Sequence, residues 1–395
     1  MARRLAFYAP LKSPRHPVPS GDRRMARLLI QSLNRQQHEV DLPSHFRSYD
    51  REGDTERQQR IRSIGKQIAA KLIKRYLALP RSNRPEAWVT YHAYHKSPDW
   101  LGPAVSAALD IPYLLIETSF APKQAGGPWD LGHRATHEVV RKADVVLALT
   151  EVDHAGLAPL IEAPTTLKRF PPFLDHLPFV DARPRREQNR RMIAERFNLD
   201  TSIPWLLSVG MMRDDVKYQS YHLLARSLEC LLDRSWQILL VGGGPALPSV
   251  EKCFLSLGSE RVRMAGILGE EELVACYTAA DVYAWPAIRE AYGLAILEAQ
   301  ASGLPVVAGR EGGVADVVRD AATGLLTPSR DPMAFAEALA DLLDHPTKRQ
   351  SMGRAAASFV ESERSVAEAS ARLDQALVEA GENFKARRNP GRVSV

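Results

Sequence analysis

The stretch Trp285–Pro328, WPAIREAYGLAILEAQASGLPVVAGREGGVADVVRDAATGLLTP, decides the fold. It reads as a strand end, a loop, a helix that Gly293 opens and Gly303 and Pro305 close, and then at once a buried strand, Val306–Ala308. A strand–loop–helix unit with glycine at the helix entry presents free backbone N–H groups and the positive end of the helix dipole, a site suited to a diphosphate. Glu290 falls in the loop. Glu298 lies some five residues along the helix, ~7–8 Å deeper at ~1.5 Å per residue. Two carboxylates at that offset suit two sugar rings of one extended ligand, a hexose and a ribose. Two solvated glutamates on a helix face are the plain alternative.

Outward from this unit, short apolar runs alternate with amphipathic stretches along the whole chain. In the first half the expected strands are Leu5–Ala9, Glu39–Leu42, Ala87–Tyr91, Tyr113–Glu117 and Val145–Leu149, with helices such as Arg23–Leu33 and Leu101–Leu109 between them. In the second half they are Trp205–Val209, Gln237–Val241, Val262–Ala265, Val282–Trp285, Val306–Ala308 and Leu325–Thr327. Such alternation predicts α/β architecture, with parallel sheets covered by helices on both faces. Residues 171–204 break the pattern with five prolines and no expected strand, which places a linker near Pro178–Pro184. The expected organisation is two doubly wound domains, 1–180 and 181–365, facing across a cleft. The segment 366–383 follows, with an Ala-rich helix at about Ser365–Ala380 stopped by Gly381, and then a frayed basic tail, 384–395.

Composition narrows the function. The 395 residues are 45% hydrophobic and 25% charged, ordinary for a globular protein. The longest apolar runs are about eight residues, well short of the ~20 that span a bilayer. The opening MARRLAFYAPLKSPRH lacks the apolar core of a secretory leader, and Cys230, Cys253 and Cys276 show no CxxC spacing. A reducing cytoplasm is the expected compartment, without disulfide framework or metal site. The formal charge is +5, yet residues 57–84 hold nine Lys/Arg and no acid, so the remainder nets −4. Ile61, Ile64, Ile68, Leu72, Tyr76 and Leu79 form one apolar stripe on that basic helix. It is read either as a core-packed helix with a solvated basic face or as a helix lying on an anionic membrane surface. Nucleic acid is disfavoured, because no binding motif accompanies the charge.

The ordered set Glu290–Glu298 (E-x7-E), Glu298–Ala308 (EAQASGLPVVA), Gly312–Gly313 and Thr323–Pro328 resembles the retaining GT-B glycosyltransferases of family four. The likeness continues upstream through Val241–Pro245 (VGGGP) and Val262–Trp285, and covers roughly residues 200–345. It implies hexosyl transfer from a nucleotide-diphosphate sugar, with Glu290 at the donor hexose and Glu298 at the ribose. It also implies donor contacts from Gly210, Gly243, Gly266, Tyr292, Gly293 and Leu294. No cofactor beyond the donor and no metal is implied. Members of that family usually carry Arg directly after the first glycine and Lys five residues later. Here Met211 takes the Arg place, with Arg213 two residues late and Lys217 four further on. As a displaced pair, Arg213 and Lys217 would stabilise the leaving diphosphate; as surface charges they would pair with Asp214 and Asp215.

The N-terminal half carries less. Ser20 is an expected N-cap, and Gly21 matches the position of a family glycine loop without its second glycine. His92 and His95 follow a strand whose carboxyl end faces the expected cleft, and His92 is the first choice for contact with donor hexose or acceptor. The family places a histidine at the end of the next strand, where this chain has Glu117. Lys123–Trp129 (KQAGGPW) is the candidate acceptor lid. The acceptor itself is open; a basic peripheral protein suits a lipid-linked or envelope glycan. A nucleotide-binding scaffold or inactive partner subunit remains as an alternative, and a nucleotide-sugar epimerase as a weaker one.

Overall fold

The computed structural model describes residues 2–18 and 20–389. The chain divides into two units, Met1–Pro171 with Val366–Val395, and Pro172–Ser365. The first holds β1 (Arg4–Tyr8), β2 (Glu39–Asp41), β3 (Ala87–Ala93), β4 (Tyr113–Thr118), β5 (Val145–Ala148) and β6 (Thr166–Arg169). They form one parallel sheet of order β2-β1-β3-β4-β5-β6. The second holds β7 (Trp205–Val209), β8 (Gln237–Val241), β9 (Val262–Gly266), β10 (Val282–Trp285), β11 (Val306–Gly309) and β12 (Gly324–Thr327), in a parallel sheet of order β12-β11-β10-β7-β8-β9.

Both orders reverse once. The chain winds outward in one direction from β1 and then in the other from β3; in the second sheet the reversal lies between β7 and β10. Loops diverge at such a point, leaving a crevice beyond the carboxyl ends of the strands. The central strands are mostly apolar, as expected of strands with helices on both faces: β4, β5, β8, β10 and β11 are buried throughout.

Three expectations need correction. The boundary falls after Pro171, and the region expected as a linker holds the helix Leu177–Ala182, with Phe179 and Ala182 buried. The final helix is not an appendage after the second domain but part of the first unit. It runs over Val366–Arg388, straight through Gly381, and takes in residues 384–388 of the expected tail. What holds it is docking. Asn383 Nδ2 donates to the Asp144 carbonyl (3.0 Å) and Arg387 to the Ala143 carbonyl (2.6 Å), and Arg387 also pairs with the Asp144 carboxylate (3.1 Å). The rest of the expected tail, 390–395, lies outside the described residues. The basic helix spans Thr55–Leu77; of its apolar stripe Leu72 and Tyr76 join the core of the first unit with Ala69, and Ile68 packs against it, while Ile64 is exposed. Among the described residues no helix is long and apolar enough to cross a membrane.

Candidate active site

In the second unit the site is built at the reversal between β7 and β10. After β7 the chain passes through Gly210, whose carbonyl accepts the Tyr221 hydroxyl (2.9 Å), into the helix Val216–Glu229. Asp215 caps that helix by accepting the Lys217 N–H (2.9 Å), and the same carboxylate holds Arg213 Nε at 3.2 Å. Lys217 therefore sits in the first helical turn and reaches across to the Glu290 carboxylate, with both side chains largely buried. Trp285, at the end of β10, donates its indole N–H to the same Glu290 oxygen (3.0 Å), and the Lys217 ammonium lies 5.2 Å from the Trp285 ring centroid. One carboxylate, one ammonium and one indole thus form a compact constellation.

The loop bearing Glu290 is shaped by strain and close packing. Ala287 and Arg289 adopt left-handed backbone conformations (φ 58° and 50°), a cost that surrounding contacts must hold in place. Ile288 N–H is held by Ser220 Oγ (3.0 Å) and Arg289 N–H by the Glu311 carboxylate (2.6 Å). Gly312 lies so close that a Cβ there would meet the Glu290 carbonyl at 2.0 Å, which only glycine allows. Gly293, at φ 77°, opens the helix Leu294–Ala301, whose first turn has no side-chain cap. Ile296 N–H bonds the Gly293 carbonyl (3.0 Å), and the Leu294 and Ala295 N–H groups have no side-chain cap, the arrangement in which a helix start can take an anion.

Glu298 lies deeper on that helix, 4% exposed, and accepts the Tyr277 hydroxyl at 2.7 Å. Tyr292 is buried and Leu294 partly so. Gly243 lies in the loop after β8 and Gly266 ends β9: Met212 N–H donates to the Gly243 carbonyl (2.9 Å) and Gly242 N–H to the Gly266 carbonyl (2.8 Å). Next to Gly266, Ile267 is 83% exposed, a large apolar side chain left in solvent beside the site.

Of the expected pair, then, the structure brings Lys217 to Glu290 and leaves Arg213 on Asp215. Sequence reasoning did not single out Trp285 or Tyr277, although an aromatic residue closing the strand before E-x7-E was a readable signal.

The first unit has its own cluster at the reversal between β1 and β3. Gly21 begins the helix Gly21–Arg35, capped by Ser20 Oγ accepting the Arg23 N–H (3.2 Å). Asp22, in that first turn, lies 3.1 Å from His92 Nδ1, and Glu117 lies 3.5 Å from the same nitrogen. His92 and Glu117 end adjacent strands with left-handed backbones (φ 59° and 55°). Burial disfavours the charged imidazole, but Glu117 and Asp22 outweigh it and hold His92 up at about 9. Burial pushes Glu117 up to about 7, partly offset by His92. Replacing Glu117 with Gln removes one of the two attractions and leaves the burial cost, so the His92 pKa falls. A titration of His92 followed by imidazole NMR reads this directly; an unchanged midpoint would show that the two side chains do not interact. His95 differs: burial and Lys96 depress it to about 4, leaving a neutral ring beside Trp129. The expected lid is anchored at its far end, since Trp129 Nε1 donates to the Asp50 carbonyl (3.2 Å) and Lys96 stacks over the indole at 4.2 Å.

Comparison with known proteins meets this geometry. The description "Glycosyl transferases group 1" matches residues 190–359. The matched residues include Lys217, Trp285, Glu290 and Glu298. Over most of the chain the structure is similar to sucrose-phosphate synthase from Thermosynechococcus elongatus (TM-score 0.71, 21% identity, 94% of this chain and 98% of that one). It is also similar to Anabaena Alr3699/HepE solved in complex with UDP (TM-score 0.71, 14% identity, 95% and 99%). The fold is therefore GT-B, with two Rossmann-like domains. Among curated proteins, D-inositol 3-phosphate glycosyltransferase of Corynebacterium diphtheriae is 43% identical over 138 residues, 34% of this chain and 32% of the relative. The Kineococcus radiotolerans protein of that name is 35% identical over 241 residues, 56% and 54%. The chain thus spans about a third to a half of the length of these curated relatives.

Proposed function

We propose that the protein is a retaining hexosyltransferase that takes its sugar from a nucleoside-diphosphate hexose bound beside Lys217 and Glu290. The observation that carries this reading is the Lys217–Glu290–Trp285 constellation beside the uncapped first turn of Leu294–Ala301. A leaving diphosphate gains negative charge as the glycosidic bond breaks, and fixed positive groups aimed at it stabilise that change. Lys217 and the helix N–H groups supply them. Glu290, relieved of Lys217 by the diphosphate, is placed to accept hexose hydroxyls, and Glu298 to accept those of the ribose. In a front-face reaction the leaving phosphate oxygen takes the acceptor proton, so neither a protein base nor a metal is required, and EDTA is expected to leave turnover unchanged.

The acceptor belongs with the first unit, where the Asp22–His92–Glu117 cluster offers a hydrogen-bonding imidazole to a hydroxyl. The names of the curated relatives favour a phosphorylated polyol over the lipid-linked or envelope glycan expected above. The test is incubation with UDP-, GDP- and ADP-hexoses, with and without D-inositol 3-phosphate, reading nucleotide release and the product anomer by NMR. Acceptor-dependent release with the donor's anomeric configuration kept supports the reading. Nucleotide binding with no release from any donor would favour the scaffold alternative; an inverted product would remove the retaining mechanism.

The solvent face of the helix Thr55–Leu77 carries Arg60, Lys66, Lys71 and Lys74 exposed. We read it as a surface that meets anionic lipid by charge, at about 1 kcal/mol per basic residue. Changing Lys66, Lys71 and Lys74 to Gln is expected to lower co-flotation with phosphatidylserine vesicles at low salt. Equal flotation by both forms would dismiss the membrane reading.

A further inference from the structure

On the opposite edge of the second sheet, at the amino ends of β10 and β11, lies a cavity of about 470 Å³. The residues just before those strands, Asp281 and Pro305, line it, so it is separate from the loops of the donor site. Its volume falls within the ~300–1,000 Å³ of small-molecule sites. Four arginines line it: Arg183, Arg186, Arg349 and Arg354.

Part of this charge has a structural use. Three helices end at the cavity, Glu270–Ala279, Leu294–Ala301 and Pro332–Asp344, and an arginine caps each. Arg186 Nη1 donates to the Thr278 and Ala280 carbonyls (2.6 Å each), Arg183 Nε to the Ala301 carbonyl (2.8 Å), and Arg349 Nη1 to the Leu342 carbonyl (2.8 Å). The carboxylates are committed as well: Asp281 to Arg186 and Arg190, and Glu361 to Arg183.

The remainder does not balance. Five arginines, with Arg190 included, face two carboxylates and three helix ends of about half a negative charge each. Between one and two positive charges are left over. They reside on Arg349, which has no ion pair among the described residues, and on Arg354, which is exposed and has neither an ion pair nor a hydrogen bond among them. Burial works against the Arg349 charge and lowers its pKa, so a bound anion would relieve it. The excess matches one phosphate monoester. The volume beyond the phosphate, lined by Gln350 and Ser358, matches a polyol.

We propose that this cavity binds a phosphorylated sugar or polyol, with the phosphate on Arg349 and Arg354, as a second anion site independent of the donor. The test uses glucose 6-phosphate as the probe, in calorimetric titration of the full chain saturated with UDP. One saturable site is expected. It should weaken tenfold or more in Arg354→Glu, an exposed position whose change leaves the thermal unfolding midpoint in place, and persist in Lys217→Ala. No binding by the wild-type protein would overturn the proposal. So would binding that UDP displaces, or that Arg354→Glu leaves unaltered.

Discussion

Glu290→Gln is expected to lower turnover of the donor by about 100-fold or more, the scale on which removing one preorganised electrostatic group acts (~10²–10³). The amide keeps the shape and can still accept the Trp285 indole N–H, so the loop retains its support from Ser220, Glu311 and Gly312. What disappears is the charge. Lys217 loses its carboxylate partner in a place where both side chains are less than one-fifth exposed, and the hexose loses its ionised acceptor. Nucleotide affinity should hold or rise, because the diphosphate no longer competes with Glu290 for the ammonium. Steady-state nucleotide release checks the first expectation and titration the second. Undiminished turnover would mean that Glu290 is a structural partner of Lys217 and nothing more.

Lys217→Ala is expected to act in the other direction on binding. A charge pair at 4 Å is worth ~4 kcal/mol at an effective dielectric near 20 before desolvation. With desolvation and the competing Glu290 deducted, a 10- to 100-fold loss of nucleoside-diphosphate affinity is the expected scale, ~1.4 kcal/mol per tenfold. Turnover should fall further, since the diphosphate charge grows in the transition state. Arg213→Ala should change either quantity by less than about threefold. Its side chain is 47% exposed and held by Asp215, and exposed pairs contribute ~0–1 kcal/mol. The contrast between the two cations is the informative result.

Eleven of the twelve strands were legible, most of them as apolar runs, because buried parallel strands are apolar on both faces; β2, Glu-Val-Asp at the sheet edge, is not such a run. The missing one, β6, is Thr-Leu-Lys-Arg at the edge of its sheet, half-buried throughout and too polar to register. The terminal helix was misjudged at Gly381, where the usual stopping signal is overridden by tertiary hydrogen bonds from Asn383 and Arg387 that no local pattern displays. The candidate site around Glu290 was legible because its backbone demands leave marks: Gly293 at a left-handed helix entry and Gly312 against the Glu290 carbonyl. Which of Arg213 and Lys217 reaches Glu290 was not, since a two-residue shift in a loop decides it through the Asp215 cap. Nor was the Asp22–His92–Glu117 cluster, assembled from one helix turn and two strand ends far apart in the chain.

The most direct test of the proposed donor site beside Lys217 and Glu290 is calorimetric titration of the protein and its Lys217→Ala variant with UDP, GDP and ADP. Micromolar binding of one nucleotide, ~8 kcal/mol, lost in Lys217→Ala, is the predicted result. Failure of all three to bind, or binding that ignores Lys217, would contradict it.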